Sequence, residues 1–428
     1  MTTEGIDTLF NYPLPQGAVV DPRDPRTWVV TEGYANDRNG HVPTGAQMPE
    51  YVVQQTGVPA TTFYYNPKAF VYAFCAVAAY HKVDYIEPTA EIYNFEAEAL
   101  GQALVYGENS MPTIDSRTPL IAEYGDIDKL VVPDDWLARG RVRNSFELQR
   151  LFRGVGIVAG YSTAPFTLAV ALRGYPRLIR DMRKEPAFAH ELFTRLSDEV
   201  LPSYLKAYHE YTGLPAVNAN DAWAAFPNLT PDLMREWVLP YAARLTKNCL
   251  PFGLTTSVTV AADYVVDPAT GFNKAMFYDC LDVQRELLDG VPVYALLCGK
   301  THDYPLDMLV EYLDARPDSE ESVLLMGLEA ALLRDGPVER IVDAVRRFID
   351  AFARQTTLTI YLSGVPADTP PHHVEAAITA IHTFGRYPIV DDLDDVAFKV
   401  PSRESLSEYI DRMSSGAGLN WENGGGTK

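Results

Sequence analysis

Between about residues 64 and 390, short apolar runs alternate with amphipathic stretches of helical period, and this alternation restricts the fold more than any other feature. VDYIEP, FRGVGIVAG, LPAVNAND, LTTSVTVAAD, VPVYALLCG, SVLLMG and TTLTIYLSG read as strands. Between them, PKAFVYAFCAVAAYHK, TPDLMREWVLPYAARLTKN, FNKAMFYDCLDVQRELLDG, PLDMLVEYLDA, PVERIVDAVRRFIDAFAR and PHHVEAAITAIHTFG carry helical spacing. PRLIRDMRKEPAFAHELFTRLSDEVLPSYLKAYHEYTG reads as two helices broken near Pro186. Strands that are apolar along their length, separated by amphipathic helices, build a parallel sheet with both faces covered. Seven or eight such units favour a barrel over an open sheet, and the alternation itself supports the α/β class.

The expected boundaries follow from composition. Residues 1–63 are rich in Pro, Gly, Asp and Asn and read as an irregular N-terminal extension. Residues 64–390 hold the barrel, and 391–428 a C-terminal helix and flexible tail ending in SSGAGLNWENGGGTK. The net charge of −21 repels phosphate backbones and anionic bilayers, which argues against a nucleic-acid or membrane partner and leaves a small molecule. Cys75, Cys249, Cys280 and Cys298 form no CxxC pair, which fits a reduced compartment. MTTEGIDTLFNYPLPQG has no basic n-region, and the apolar piece around Phe70 to Ala79 is too short to span a bilayer. A cytoplasmic location is expected.

Four segments carry a family resemblance. STAPFTLAVALRGYPRLIRDM resembles the strand-to-helix turn of the uroporphyrinogen decarboxylase superfamily. NDAWAAFPNLTPDLMREWVLPYAARL, SVLLMGLEAALLRDGPVERI and YLSGVPADTPPHHVEAAITAI resemble three further blocks of that superfamily, in the same order. The resemblance implies a (β/α)8 TIM barrel and a homodimer.

In such barrels the C-terminal ends of the strands face the active site. That rule selects Glu87 and Glu91 after the first strand, Tyr161 and Ser162 after GIVAG, Asp221 after LPAVNAN, and Asp263 after TTSVTVAA. It also selects Cys298 to Asp303 after VPVYALL, Glu329 after SVLLMG, and Ser363 after TTLTIYL. The expected catalytic set is Glu91, Asp221, Cys298, His302 and Asp303, with Tyr161, Ser162, Asp263, Glu329 and Ser363 binding substrate. Cys298 and His302 stand four residues apart, a spacing that suits half of a metal site or a nucleophile beside a base, and equally a buried cysteine beside a loop histidine. Asp221 is also placed to cap the helix TPDLMRE or bind a backbone amide. Glu96 and Glu98 read as an exposed helical face, and His372 and His373 as solvated. Tyr64 and Tyr65 fit a pocket wall or aromatic packing of the extension equally well.

The resemblance also shows what is missing. Uroporphyrinogen decarboxylases carry an RQAGRYxPEY segment whose arginines grip substrate carboxylates, and its nearest echo here, GAQMPEY with Gly45 and Met48, has no Arg. The acid that meets the pyrrole N–H groups maps one residue out of register onto Glu91. Ala171 replaces the family's tyrosine, Ala222 its serine, and Ser363 its histidine. A second branch contains methyltransferases, and those acting on thiols hold zinc through an H-x-C…C set. Here TTSVTVAAD offers neither ligand and Ser363 replaces the last cysteine. The expected activity is transfer of a methyl or other one-carbon unit, with a corrinoid or folate carrier, a corrinoid protein as partner, and zinc only if Cys298 and His302 provide it. Decarboxylation of a carboxylated pyrrole or aromatic, or non-catalytic binding of a tetrapyrrole or corrinoid, are the alternatives.

Overall fold

The computed structural model describes residues 20–29, 40–86, 93–107, 110–155, 159–260, 273–297 and 306–419. Its strands are β1 (Thr44–Ala46), β2 (Tyr85–Ile86), β3 (Leu104–Val105), β4 (Thr113–Ile114), β5 (Ala159–Thr163), β6 (Ala216–Asn220), β7 (Thr255–Thr259), β8 (Val293–Leu296), β9 (Val323–Leu328) and β10 (Thr357–Leu362). The chain forms two compact units, one of Met1–Glu87, Ala261–Arg285 and Gly290–Lys428, the other of Pro88–Val260 with Glu286–Asp289.

The first unit holds a five-stranded sheet in the order β2-β1-β10-β9-β8, and every pairing is parallel. Parallel neighbours need crossovers, supplied here by helices such as Val338–Phe352 between β9 and β10. That helix buries Ile341, Val345, Phe348 and Phe352, one apolar stripe of an otherwise charged sequence. Pro67–His81 is apolar on nearly all sides and correspondingly buried from Ala69 to Ala79. Asn66 starts it by accepting from the amides of Lys68 and Ala69, both at 3.1 Å, with Pro67 in the first turn. Lys82, with φ 62°, ends it in the left-handed region.

The second unit holds a three-stranded parallel sheet, β5-β6-β7, and the separate antiparallel pair β3-β4. Its outer cover includes Val142–Phe152 and Leu201–Thr212, whose Gln149 and Tyr208 stand directly over Gly160; a Cβ there would meet the Tyr208 hydroxyl oxygen at 1.6 Å.

Several expected boundaries move. Thr44–Ala46, inside the segment read as irregular, is β1, paired on both sides, and helices Pro49–Thr56 and Ala60–Tyr65 follow it. Tyr161 and Ser162 lie within β5 rather than after it. TPDLMREWVLPYAARLTKN is two helices, Pro231–Trp237 and Leu239–Cys249, because Pro240 lacks the donor needed to continue the first. After Pro186–Arg195, a π turn at Leu196–Val200 leads into Leu201–Thr212, where Pro202 likewise cannot donate. Among the described residues no helix is long and apolar enough to cross a membrane.

Candidate active site

In the second unit the two faces of β5-β6-β7 differ in chemistry. The register aligns Tyr161, Asn218 and Ser257, then Thr163, Asn220 and Thr259. The intervening residues Ser162, Val217, Ala219, Thr256 and Val258 are buried on the helix side. Tyr161, Asn218, Asn220, Ser257 and Thr259 are only partly buried. The described strand side chains of that face are hydroxyl and amide groups, and the Glu96 carboxyl adjoins its edge through Thr163 Oγ1. Thr259 Oγ1 donates to Asn218 Oδ1 across 3.0 Å and the Tyr93 hydroxyl to Asn220 Oδ1 across 3.4 Å. These bonds orient both amides, whose Nδ2 donors meet no partner among the described residues.

Two buried carboxylates stand where the strands pass into helices. Asp221 follows β6 directly and is 1% exposed. Its Oδ1 accepts from the Thr167 amide at 2.6 Å and its Oδ2 from the Phe166 amide at 3.4 Å. Those are first-turn amides of Pro165–Arg173, which no side chain at its own N-terminus caps, so Asp221 caps the helix that leaves β5. The Trp223 amide bonds Thr167 Oγ1 at 3.1 Å and closes the loop. Burial pushes the Asp221 carboxyl up to about 6, against the opposing pull of the Thr167 and Phe166 bonds. The helix it caps is PFTLAVALR rather than TPDLMRE, whose start is capped by Thr230.

Glu96 corrects the expectation of an exposed face. It is 2% exposed and accepts from Ser162 Oγ, the Thr163 amide and Thr163 Oγ1, each at 3.0 Å. Burial again raises its carboxyl above the ordinary range, partly offset by those bonds. Ser162 is thereby engaged on the helix side of the sheet. Glu98 is paired with Arg141 Nε at 3.0 Å.

The first unit carries Glu329 and Ser363. Glu329 is the residue before helix Ala330–Asp335, at the end of β9. Ser363 follows β10; its amide donates to Leu328 O at 3.3 Å and its buried Oγ has no hydrogen-bond partner among the described residues. The same Oγ lies against Gly327, where an added Cβ would come within 2.6 Å of it. Gly45, at the position of the family's arginine segment, lies under the Tyr361 ring: a Cβ there would be 2.5 Å from Tyr361 Cδ2. Met48 is completely buried. The PEY register sets Val42 and Ala46, both fully buried, against the family's two arginines, so no carboxylate-gripping fork stands there. His373 is buried and bonds Leu333 O through Nδ1 at 2.8 Å, contrary to the solvated reading, while His372 is exposed as expected. Tyr64 is buried against Phe63 and Tyr65 is exposed. Glu87, Glu91, Asp263, Cys298, His302 and Asp303 lie outside the described residues.

Sequence reasoning passed over Asn218, Asn220, Ser257 and Thr259. Their signal was the alternation in VNAN and SVT, polar at every second position, which marks one face of a strand as unlike the other.

Parallel strands joined by helices, with polar groups gathered on one sheet face and at the strand ends, define an α/β protein of the kind that places ligands at strand C-termini. A family model for uroporphyrinogen decarboxylase (URO-D) matches residues 26–384, and the chain belongs to that family. The uroporphyrinogen decarboxylase of Serratia proteamaculans is 26% identical over 300 residues, 68% of this chain and 76% of the relative. That of Yersinia enterocolitica is 24% identical over 297 residues, with the same coverage of 68% and 76%. Among solved structures, a methyltransferase from Methanosarcina mazei superposes with a TM-score of 0.61 at 16% identity, covering 79% of this chain and 93% of that one, a likeness of fold.

Proposed function

We propose that this protein is a URO-D family enzyme that moves a methyl or other one-carbon unit between a small uncharged methylated compound and a corrinoid or folate carrier. The observation that carries the reading is the uncharged, hydrogen-bonding face formed by Tyr161, Asn218, Asn220, Ser257 and Thr259. A substrate with several carboxylates needs fixed cations, and the segment GAQMPEY, where the family resemblance would place them, has no Arg. A neutral donor needs only oriented dipoles, which the two asparagine amides offer.

Within this reading, the eight parallel strands close into a (β/α)8 barrel, and a second copy of the chain forms a homodimer in the cytoplasm. Asp221 and Glu96 are positioning residues: each ties the end of one strand to the start of a neighbouring element. Tyr161, Glu329 and Ser363 line the cavity with Asp263, and Glu91 and the Cys298, His302 and Asp303 loop supply the acid, base or metal-binding groups. Methyl transfer breaks a heteroatom–carbon bond and forms a bond from the carbon to the acceptor, and the released heteroatom takes up a proton from one of those groups. The family's thiol-binding zinc set does not fit, because its last ligand position is the hydroxyl of Ser363.

The names of the curated relatives favour a second reading, decarboxylation of a carboxylated pyrrole or aromatic. Incubation with cob(I)alamin and a panel of neutral methylated amines, alcohols and aryl ethers separates the two. Appearance of the methylcobalamin spectrum is the expected result. Carbon dioxide released from a porphyrinogen without methyl transfer would overturn the leading reading, and tight corrinoid binding with neither product would leave a binding protein.

A further inference from the structure

In the five-stranded unit, three side chains meet at the N-terminal ends of β1 and β2. His41 Nε2 lies 3.1 and 3.2 Å from the two oxygens of Asp84, and His382 Nε2 lies 3.0 Å from Asp84 Oδ2. One ligand atom from each falls within 4.8 Å of the others, and the two imidazole centroids are 4.3 Å apart. Asp84 and His41 are buried, and His382 keeps 24% of its side chain open, which leaves an entry path.

The backbone fixes all three. The Thr44 amide donates to Asp84 Oδ2 at 2.7 Å, and the Asp84 amide donates to Thr44 Oγ1 at 3.2 Å. Val42 N donates to Gly385 O and Tyr387 N to Gly40 O, each at 2.8 Å, so the segment bearing His41 is laced to the end of the His382 helix. Both rings present the same atom, Nε2, to one carboxylate.

We propose that His41, Asp84 and His382 bind a divalent transition-metal ion, zinc by the character of the ligands, with the fourth position open toward the exposed edge of His382. Two imidazole nitrogens and a carboxylate oxygen are a common three-ligand zinc set. Ligands about 2.0–2.2 Å from zinc at tetrahedral angles stand about 3.4 Å apart, so the His–Asp separations of 3.0–3.2 Å need an outward shift of only a few tenths of an ångström, with one ligand atom from each residue within 4.8 Å of the others. The strands' N-terminal ends are the stability side of this architecture, and the ion would join residues 41, 84 and 382 as a cross-link between distant parts of the chain.

The test uses the full-length protein, stripped with a chelator, desalted, and loaded with zinc chloride, with magnesium chloride as the control. Metal content is measured by mass spectrometry and stability by thermal unfolding. About one zinc retained per chain and a melting temperature raised by about 2 °C or more are expected, with no effect of magnesium. His41→Ala and His382→Gln should abolish both. Because an Asp84 variant risks misfolding, His382→Gln at the partly open member is the decisive variant, with its fold checked by circular dichroism. Loss of zinc from wild type on desalting, or retention of zinc by folded His382→Gln, would overturn the proposal and leave a hydrogen-bonded triad.

Discussion

Replacing Asp221 with asparagine tests how a buried carboxylate is held at the end of β6. In the native chain two amide donors and a hydroxyl face the carboxylate, and burial still lifts its pKa from the ordinary 3.8 to about 6. At about 1.36 kcal/mol per pH unit, that rise corresponds to roughly 3 kcal/mol by which the ionised form is less favourable in the folded state. The folded pKa exceeds the unfolded one, so the contribution to stability is fully present below about pH 3.8 and disappears as pH climbs through about 6. From pH 5 to pH 7 the native chain should lose about 1.4 kcal/mol through this group, most of it before pH 6. The asparagine side chain cannot ionise. It keeps one acceptor for the Thr167 amide but turns an NH2 toward the Phe166 amide, which costs about 1–3 kcal/mol at pH 5. Asp221→Asn should therefore be less stable than wild type at pH 5 and recover about 1.4 kcal/mol relative to it by pH 7. Paired urea unfolding curves, followed by tryptophan fluorescence and circular dichroism, measure the difference. A stability gap that is the same at both pH values would refute the reasoning, because the carboxyl would then not titrate in this window.

Other substitutions probe the surrounding frame. Asp181 is buried with Arg173, whose Nε donates to it at 2.7 Å, and Asp181→Ala should cost about 3–5 kcal/mol in thermal or urea unfolding by stranding a buried cation. Gly45→Ala should cost about 1–3 kcal/mol through collision with the Tyr361 ring, and Tyr361→Ala in the same chain should relieve most of it, which a double-mutant cycle reads directly. Glu96→Gln should cost about 1–3 kcal/mol, since one of the donors from Ser162 and Thr163 would face an NH2. Because the Glu96 carboxyl is also raised in the fold, that deficit should shrink as pH rises through its folded pKa, as urea midpoints at two pH values would show.

Long elements were legible because burial imposes a period on them. Val338–Phe352 and Pro371–Phe384 match the apolar spacing of PVERIVDAVRRFIDAFAR and PHHVEAAITAIHTFG within a few residues at each end. β1 was not legible: Thr44–Ala46 is three residues long, too short for any period, and its pairing with Ile360 to Leu362 is a contact more than 300 residues away. The position of Asp221 at a strand end could be read directly, whereas its partners lie 54 and 55 residues back in the chain and only the fold reveals them. Glu96 sits in a helix of five residues, Phe95–Ala99, where spacing cannot separate an inner face from an outer one. The polar face of β6 and β7 was present in the sequence, but treating parallel strands as apolar throughout concealed it.

The proposed reaction places a neutral methylated compound at the face bearing Asn218 and Asn220. The direct measurement is the rate of isotope-labelled methyl transfer to cob(I)alamin by wild type and by an Asn218→Leu, Asn220→Leu double variant of unchanged circular dichroism. Wild type should transfer label, and the double variant should be slower by about 10-fold or more as two oriented amides are lost. Equal rates in the two proteins, or transfer by neither, would overturn methyl transfer at this face.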